Sequence, residues 1–336
     1  MTLPPRLGRF LAHRLGGALL VLLALSVLVF ALLRLAPGDP AVLVCGERCS
    51  PAQLAQVRDR LGLNDGLFTQ YLRFLGGLVA GREQSGGAGT VMTCDAPCLG
   101  YSYQDDRQVT EIVLERLPAT CSLAIGAFAV WTLVGVGTGL LSALRRGGTL
   151  ERVLTVLTLV GSGTPVFILG LLLLMAVCAY LQWLPFPSYV PFGEDPEQWA
   201  WNLLLPWLTL GLFESAKYAR LTRSGTLETL AEDHIRTFRA YGVGERAVVT
   251  RHALRGALPP VIALSATDLG TMMGGAVLTE SLFGIPGLGK SLIDAVRVAD
   301  LPVVLGIVLV MGVAVVLAGL LGELLHALTD RRVVLA

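Results

Sequence analysis

Long apolar runs separated by short polar stretches set the pattern of this chain. The runs are rich in Leu, Val, Ala and Gly, and each supplies most of the about 20 residues that a helix needs to cross a bilayer. Their positions predict six membrane-spanning helices. The predicted spans are 14–35, 118–142, 153–182, 199–217, 258–282 and 302–328. The pattern therefore predicts an all-α integral membrane protein with a six-helix transmembrane bundle.

The composition agrees with a membrane protein and excludes a soluble globular domain. The chain has 336 residues, of which 54% are hydrophobic and 15% are charged, whereas soluble domains carry about 25% charged residues. The net charge of +1 does not indicate a nucleic-acid partner, because the basic residues are grouped by predicted membrane side. The first apolar run is longer than the core of a signal peptide, so we expect a retained span. Cleavage after Ala36-Pro37-Gly38 is the alternative.

The distribution of Lys and Arg predicts that both termini are cytoplasmic. The connection 217–257 contains Lys217 and seven arginines, and both tails are basic, whereas the loop 183–198 has no Lys or Arg. Cytoplasmic loops carry such an excess of basic residues. Three regions follow: a cytoplasmic tail and first span at 1–35, an external helical segment at 36–117, and a five-helix core at 118–336 that includes the cytoplasmic loop 217–257.

A phosphate-binding motif occurs in the sequence, but its surroundings argue against a nucleotide site. Gly284, Gly289, Lys290 and Ser291 satisfy the spacing G-x-x-x-x-G-K-[ST]. Such a loop follows a buried strand in an α/β domain, whereas a predicted membrane span precedes this one, and the topology places it outside the cell. We interpret it as a Gly/Pro-rich bend, and the chain is not expected to hydrolyse ATP itself.

The loop 217–257 predicts a helical docking element. Apolar residues at helical spacing continue to Phe238. The pattern is then interrupted by Gly242 and Gly244, and a second basic helix is predicted from about Glu245 to Leu258. A basic loop lying near anionic lipid headgroups is the alternative. An apolar-faced helical hairpin with a glycine hinge favours a surface that docks on another protein.

Two stretches of this loop resemble the EAA-loop region of ABC-importer permeases in the dipeptide, oligopeptide and nickel branch. They are RTFRAYG at 236–242 and RHALRGALPPV at 251–261. Four further stretches resemble the same family in the same order: LLRLAPGDPA at 32–41, VTEIVLERLPAT at 109–120, LTLVGSGTPVFILGLLLL at 157–174 and GGAVLTESLFGIPGLGKSL at 274–292. The resemblance covers most of the chain outside 42–105.

The resemblance implies a type I importer permease in the cytoplasmic membrane of a prokaryote. Such a subunit is not an enzyme, binds no cofactor, and pairs with a second homologous permease. Two cytoplasmic ATPases carry ATP and Mg²⁺, and an external binding protein delivers the substrate. Peptide is favoured as the substrate over nickel or another small solute. A self-contained channel or secondary carrier and a membrane enzyme are the alternatives.

The resemblance also implies which residues contact the ATPase. They are Arg236, Thr237, Phe238, Arg239, Ala240, Tyr241 and Gly242. Phe238 departs from the family, which usually carries a small residue there. Its ring is expected either to fill a pocket on the ATPase or to pack back on the loop. Gly242 is expected to form the turn after the helix, because a side chain hinders positive φ.

Two carboxylates in or near the fifth predicted span are candidates for the translocation path. Asp268 lies about ten residues into the span and Glu280 lies near its end. Ionisable groups inside a membrane are costly and are functional candidates by default. For Asp268 a hydrogen-bonded link between helices is the alternative, and for Glu280 snorkelling or capping near the membrane surface is favoured.

Four cysteines of the external segment predict two disulfides. Cys45, Cys49, Cys94 and Cys98 lie on the oxidising side of the membrane, where disulfides persist. Local pairing and cross-pairing both remain open. A zinc site is the alternative, since Zn²⁺ accepts four cysteines, but no metal is expected. Cys121 and Cys178 lie in apolar spans and are expected to be packing residues.

Overall fold

The structure is a computed structural model that describes residues 5–35, 50–60, 64–85, 91–102, 104–145, 148–149, 151–154, 156 and 163–329. The described part is mainly helical. In chain order the helices are α1 (Pro5–Leu35), α2 (Pro51–Arg60), α3 (Leu67–Ala80), α4 (Val109–Leu144), α5 (Val166–Leu173), α6 (Pro196–Leu230), α7 (Asp233–Ala240), α8 (Glu245–Ala247), α9 (Leu254–Gly275), α10 (Val277–Phe283), α11 (Leu288–Arg297) and α12 (Leu301–Thr329).

Two short antiparallel hairpins separate α3 from α4. Strands β1 (Arg82–Ser85) and β2 (Val91–Cys94) form the first, and β3 (Tyr101–Ser102) and β4 (Arg107–Gln108) form the second. Two π-helical turns also occur, Leu174–Tyr180 after α5 and Val248–Ala253 between α8 and α9.

The chain divides into two compact units. The first, here called the core unit, comprises Met1–Leu15, Ala119–Pro286 and Ala314–Ala336. The second, here called the loop unit, comprises Gly16–Pro118 and Gly287–Val313. The loop unit contains α2, α3 and both hairpins, and the core unit contains α5 to α10.

Each predicted span contains described helical residues. Among the described residues, three helices by themselves are long and apolar enough to cross a bilayer. Their apolar segments are His13–Leu32, Val109–Leu144 and Leu301–Leu325. Glu245–Met273 and Val277–Phe283, which meet at 57°, make a fourth if they count as one span. Val166–Tyr180 is a shorter apolar helix, and α6 carries charged residues in its second half. The count of six spans stays a prediction.

Close helix contacts in the core unit depend on glycines of α4 and α6. A Cβ added to Gly126 would lie 2.0 Å from the ring of Trp207, and one added to Gly211 would lie 2.3 Å from Val130. Trp207 donates its indole N–H to the carbonyl of Ser122 at 3.0 Å, which fixes the ring over Gly126. Small residues allow backbones to approach in this way, as expected for packing between membrane helices.

In the loop unit, α3 packs against α1 and α12. Phe74 of α3, Val29 of α1, and Leu305 and Leu309 of α12 are buried together. The Tyr71 hydroxyl of α3 is hydrogen-bonded to the Ser26 hydroxyl of α1 at 2.8 Å. These contacts attach the segment after α1 to two of the long apolar helices.

One predicted disulfide is present in the loop unit. Cys94 and Cys98 are bonded to each other with an S–S distance of 2.10 Å, and both are buried. Their local pairing excludes cross-pairing through these two residues and leaves neither thiolate available for zinc. Cys45 and Cys49 lie outside the described residues, so their pairing stays a prediction. Cys178 is buried and Cys121 is partly buried, both as free thiols.

A helix, not a strand, precedes the phosphate-binding motif. Helix α10 ends at Phe283, and the next residue, Gly284, has φ of +69°, the left-handed conformation common after helix C-termini. Helix α11 begins at Leu288 after Gly287, which has an extended backbone. This geometry agrees with a bend between helices and contradicts the strand–loop–helix context that a P-loop requires.

Asp300 caps helix α12 in the loop unit. Its buried carboxylate accepts hydrogen bonds from the Ser102 hydroxyl and from the backbone N–H groups of Val303 and Gln104. Burial raises the pKa of this carboxyl above its ordinary value, and the hydrogen bonds offset part of that rise. Since an N-cap residue satisfies free N–H groups of the first turn, Asp300 also joins hairpin β3–β4 to α12.

The raised pKa of Asp300 predicts how pH changes the stability of the loop unit. The folded state holds the proton more tightly than the unfolded state, so the favourable contribution is present at low pH. It is lost as pH rises through the folded pKa. We expect the free energy of unfolding of the wild type, relative to Asp300→Asn, to fall as pH rises from the ordinary pKa of an aspartic acid, about 3.9, through the raised pKa of the folded state. Thermal unfolding of both proteins in detergent at each pH measures this difference, and a pH-independent difference would contradict it.

Candidate functional site

The predicted docking loop forms one short helix between two long ones. Helix α6 continues to Leu230, well past the predicted end of the fourth span, and α7 covers Asp233–Ala240. After a turn, the chain is helical from Glu245 to Gly275 through α8, a π-helical turn and α9. The predicted second helix is therefore present from Glu245, and it continues into the fifth predicted span. Backbone hydrogen bonds continue past the point where the side chains become polar, so hydropathy could not locate the helix ends.

Helix α7 is held by two side chains on its inner face. Ile235 is fully buried. The Phe238 ring stacks on His252 of the π-helical turn, with centroids 4.1 Å apart and planes 24° apart. Of the two alternatives for Phe238, the structure has the ring packed back on the loop. His252 is accordingly a packing residue here, and the His234 ring lies edge-to-face with Phe238 at a centroid distance of 6.0 Å.

The turn after α7 is fixed by a glycine and an ion pair. Gly242 has φ of +79°, a left-handed conformation that favours glycine. Across this turn, the Arg239 guanidinium donates two hydrogen bonds to the Glu245 carboxylate at 3.0 and 2.6 Å. The hydrogen bond from Arg239 lowers the pKa of Glu245. Bidentate pairs of this kind are geometrically specific, so the pair ties the end of α7 to the start of α8.

The outer face of α7 is exposed. The Tyr241 side chain is 83% exposed and the Arg236 side chain 75% exposed, and Arg236 lies 3.6 Å from Asp233 one turn earlier. Among the seven residues expected to contact an ATPase, all except Phe238 are exposed. The structure thus places the six exposed residues on one short segment of the chain, and the side chains of Ile235 and Phe238 pack that segment against the protein.

Asp268 joins α9 to α6 through a cluster of polar side chains. Its carboxylate accepts a hydrogen bond from the Tyr218 hydroxyl at 2.7 Å and lies 2.6 Å from the Lys217 ammonium. Lys217 also lies 3.2 Å from Glu214. The Tyr218 ring stacks on Trp131 of α4, with centroids 6.0 Å apart. Of the two alternatives for Asp268, the hydrogen-bonded link between helices is present, and a place in the translocation path stays a prediction.

A cavity of about 560 Å³ adjoins this cluster in the core unit. Its lining includes Lys217, Arg220 and Arg223 of α6, Ser142 of α4 and Leu264 of α9. Arg223 forms an ion pair with Glu151, and Lys217 is shared with the Asp268 cluster. The charged residues of the lining are thus all basic, and the other lining residues are apolar, small or hydroxyl-bearing.

Glu280 is fully buried and does not snorkel. The Thr120 hydroxyl of α4 donates a hydrogen bond to its carboxylate at 2.7 Å. The expectation of snorkelling to the membrane surface was wrong, because α10 packs against α5 and α6 after the 57° bend from α9. A carboxyl group at this depth must be hydrogen-bonded. Its place in a translocation path stays a prediction.

Sequence reasoning missed several residues that the structure brings to the site. Lys217, Tyr218 and Thr120 contact Asp268 and Glu280 across helices, whereas Ile235 is the buried residue of α7 itself. The burial of Ile235 had a signal, since it is the apolar residue at helical spacing within a polar stretch. The partners of Asp268 and Glu280 had none, because 50 and 160 residues separate them from Tyr218 and Thr120.

A solved structure shares this architecture. A chain of the MetNI methionine ABC transporter in an inward-facing conformation aligns with a TM-score of 0.53 at 17% identity. The alignment covers 66% of this chain and 98% of that chain. At this identity the likeness concerns the fold alone.

The family follows from the sequence matches. Residues 135–335 match the family described as binding-protein-dependent transport system inner membrane component, and residues 7–124 match its N-terminal membrane component. The chain belongs to this family of transporter permeases. The resemblance inferred from the sequence and the expected all-α membrane fold are thereby confirmed, and the chain is a multi-pass membrane protein.

The relatives match along nearly the whole chain. A peptide transport system permease protein of Brucella abortus is 36% identical over 320 residues, which cover 95% of this chain and 97% of that one. The di/tripeptide transport system permease protein DppB of Pseudomonas aeruginosa is 34% identical over 345 residues, covering 96% of this chain and 98% of that one.

Proposed function

We propose that this chain is the subunit through which an ATP-driven importer moves peptides across the cytoplasmic membrane. The observation that carries this proposal is α7, an exposed short helix held by Ile235, Phe238 and a left-handed glycine turn. It lies in the region that resembles the ATPase-docking loop of importer permeases. The proposed assembly has a second homologous permease, two cytoplasmic ATPases that hold ATP and Mg²⁺, and an external binding protein. Both termini are then cytoplasmic.

The mechanism follows from how α7 is connected. Closure of the ATPases displaces α7, which ends at the ion pair between Arg239 and Glu245. Helix α6 enters α7 and α9 follows the turn, and the Asp268 cluster ties α6 and α9 together. The two helices therefore move together when α7 moves, as a rigid pair rather than separately. This movement opens and closes the path to each side of the membrane in turn.

Peptide is the proposed substrate because the relatives named above are described as peptide and di/tripeptide permeases. Nickel or another small solute is the second candidate, which the sequence resemblance also allows. The cavity is lined by the basic side chains of Lys217, Arg220 and Arg223, which suit the C-terminal carboxylate of a peptide. Asp268 and Glu280 are proposed to border the path.

Co-purification of the tagged chain in mild detergent tests the assembly. We expect a second permease and two ATPases to elute with it. The complex, reconstituted in liposomes with its binding protein, should hydrolyse ATP faster when a dipeptide is added and should accumulate the dipeptide. A chain that elutes alone and conducts solute without ATP would establish a channel or carrier instead. Stimulation by Ni²⁺ but not by dipeptides would replace the substrate and keep the assembly.

A further inference from the structure

Helix α3 in the loop unit has three different faces. The packed face contains Gln70, Phe74 and Gly77, which are buried. A second face is polar or small and exposed, with Thr69 and Arg73 on it. The third face is apolar and exposed, and it is here called the α3 stripe: Phe68, Leu72 and Val79, with side chains 73%, 51% and 82% exposed.

The packed face of α3 rests on parts of α1 and α12 that are themselves apolar enough to lie in a bilayer. Val29 lies three residues before the end of the apolar segment His13–Leu32, and Leu309 lies eight residues after the start of Leu301–Leu325. At 1.5 Å per residue these contacts are about 5 and 12 Å inside the two segments. Helix α3 therefore lies beside hydrocarbon-spanning helices, not in the water beyond them.

The α3 stripe continues an apolar surface that already needs lipid. Val27 and Leu28 of α1, next to the residues that contact α3, are 50% and 56% exposed. Arg73, on the polar face, forms an ion pair with Asp65 at 2.8 Å. A helix with one apolar face, one charged face and a depth of about 5 to 10 Å is typical of the boundary between headgroups and acyl chains.

We propose that α3 is an interfacial helix whose stripe inserts among the acyl chains of one leaflet, which is the outer leaflet in the predicted topology. The helix thereby anchors the segment between the first two spans to the membrane, with Thr69 and Arg73 toward the headgroups. Hydropathy had placed this segment outside the membrane. Its single arginine and short length hide it from a search for spans.

Collision measurements on spin labels test this placement. Single cysteines at Phe68, Leu72 and Val79, and at Thr69 as the matched control one residue from Phe68, carry a nitroxide in the full chain in lipid nanodiscs. Cys45, Cys49, Cys121 and Cys178 are replaced by alanine, so that the disulfide Cys94–Cys98 remains. Oxygen partitions into acyl chains and a neutral nickel chelate stays in water. The ratio of the two collision rates therefore reports the surroundings of each label.

We expect the oxygen-to-nickel ratio at Phe68→Cys and Leu72→Cys to be severalfold higher than at Thr69→Cys. Equal ratios with high nickel access at all four positions would place the stripe in water and overturn the proposal. Low collision rates with both reagents at the stripe, together with immobile spectra, would mean that a second protein covers it. That result would also overturn the proposal. Neither result depends on which solute the protein transports.

Discussion

Replacing Gly242 by valine is expected to lower ATP-driven transport about tenfold, whereas the same change at Gly244 leaves transport near the wild-type level. A Cβ at either position meets nothing within 4 Å, so crowding inside the chain does not distinguish them. The backbone does, because Gly242 has φ of +79° and Gly244 has φ of −60°. A left-handed conformation costs an L-residue roughly 1–2 kcal/mol, and about 1.4 kcal/mol is tenfold in population.

The measurement is uptake of a labelled dipeptide at equal membrane levels of each variant, with ATPase co-purification beside it. Because asparagine tolerates the left-handed conformation better than valine, Gly242→Asn should recover part of the activity. If Gly244→Val were as harmful as Gly242→Val, the loss would come from contact of the new side chain with the ATPase. The backbone explanation would then be wrong.

Replacing Glu280 by alanine is expected to destabilise the core unit by about 2–4 kcal/mol, the range for emptying a large buried site. The side chain is fully buried, and its removal also leaves the Thr120 hydroxyl without this acceptor. Glu280→Gln keeps the volume and an acceptor oxygen, so we expect its stability to stay close to that of the wild type. Thermal unfolding of the purified complex measures both.

Thr120→Val and the double variant Glu280→Ala/Thr120→Val complete a double-mutant cycle. The cycle isolates the coupling energy between the Glu280 and Thr120 side chains. Glu214→Ala is a control, because that side chain keeps 18% exposure and its partner Lys217 retains Asp268. If Glu280→Ala unfolded at the wild-type temperature and yet abolished transport, Glu280 would act on the solute instead of on packing. That outcome would favour its predicted place in the translocation path.

The sequence by itself determined the class of this protein. Apolar runs long enough to span a bilayer, grouped basic residues and the ordered stretches near 236–261 and 274–292 were sufficient. These signals are local, because the bilayer imposes apolar side chains on consecutive residues whatever their tertiary neighbours are. Two further predictions also came from neighbouring residues: that Gly242 forms a turn, and that the phosphate-binding motif is not a nucleotide site.

The tertiary structure alone decided which polar residues are structural. Asp268 meets Tyr218 and Glu280 meets Thr120 through helix packing, so neither pair leaves a trace in the order of residues. Helix ends were also decided there, since α6 continues through charged residues to Leu230, past the predicted end of the fourth span at residue 217. The surroundings of α3 depended likewise on contacts with α1 and α12. Burial is a property of packing between distant segments, and hydropathy averages over neighbouring residues cannot report it.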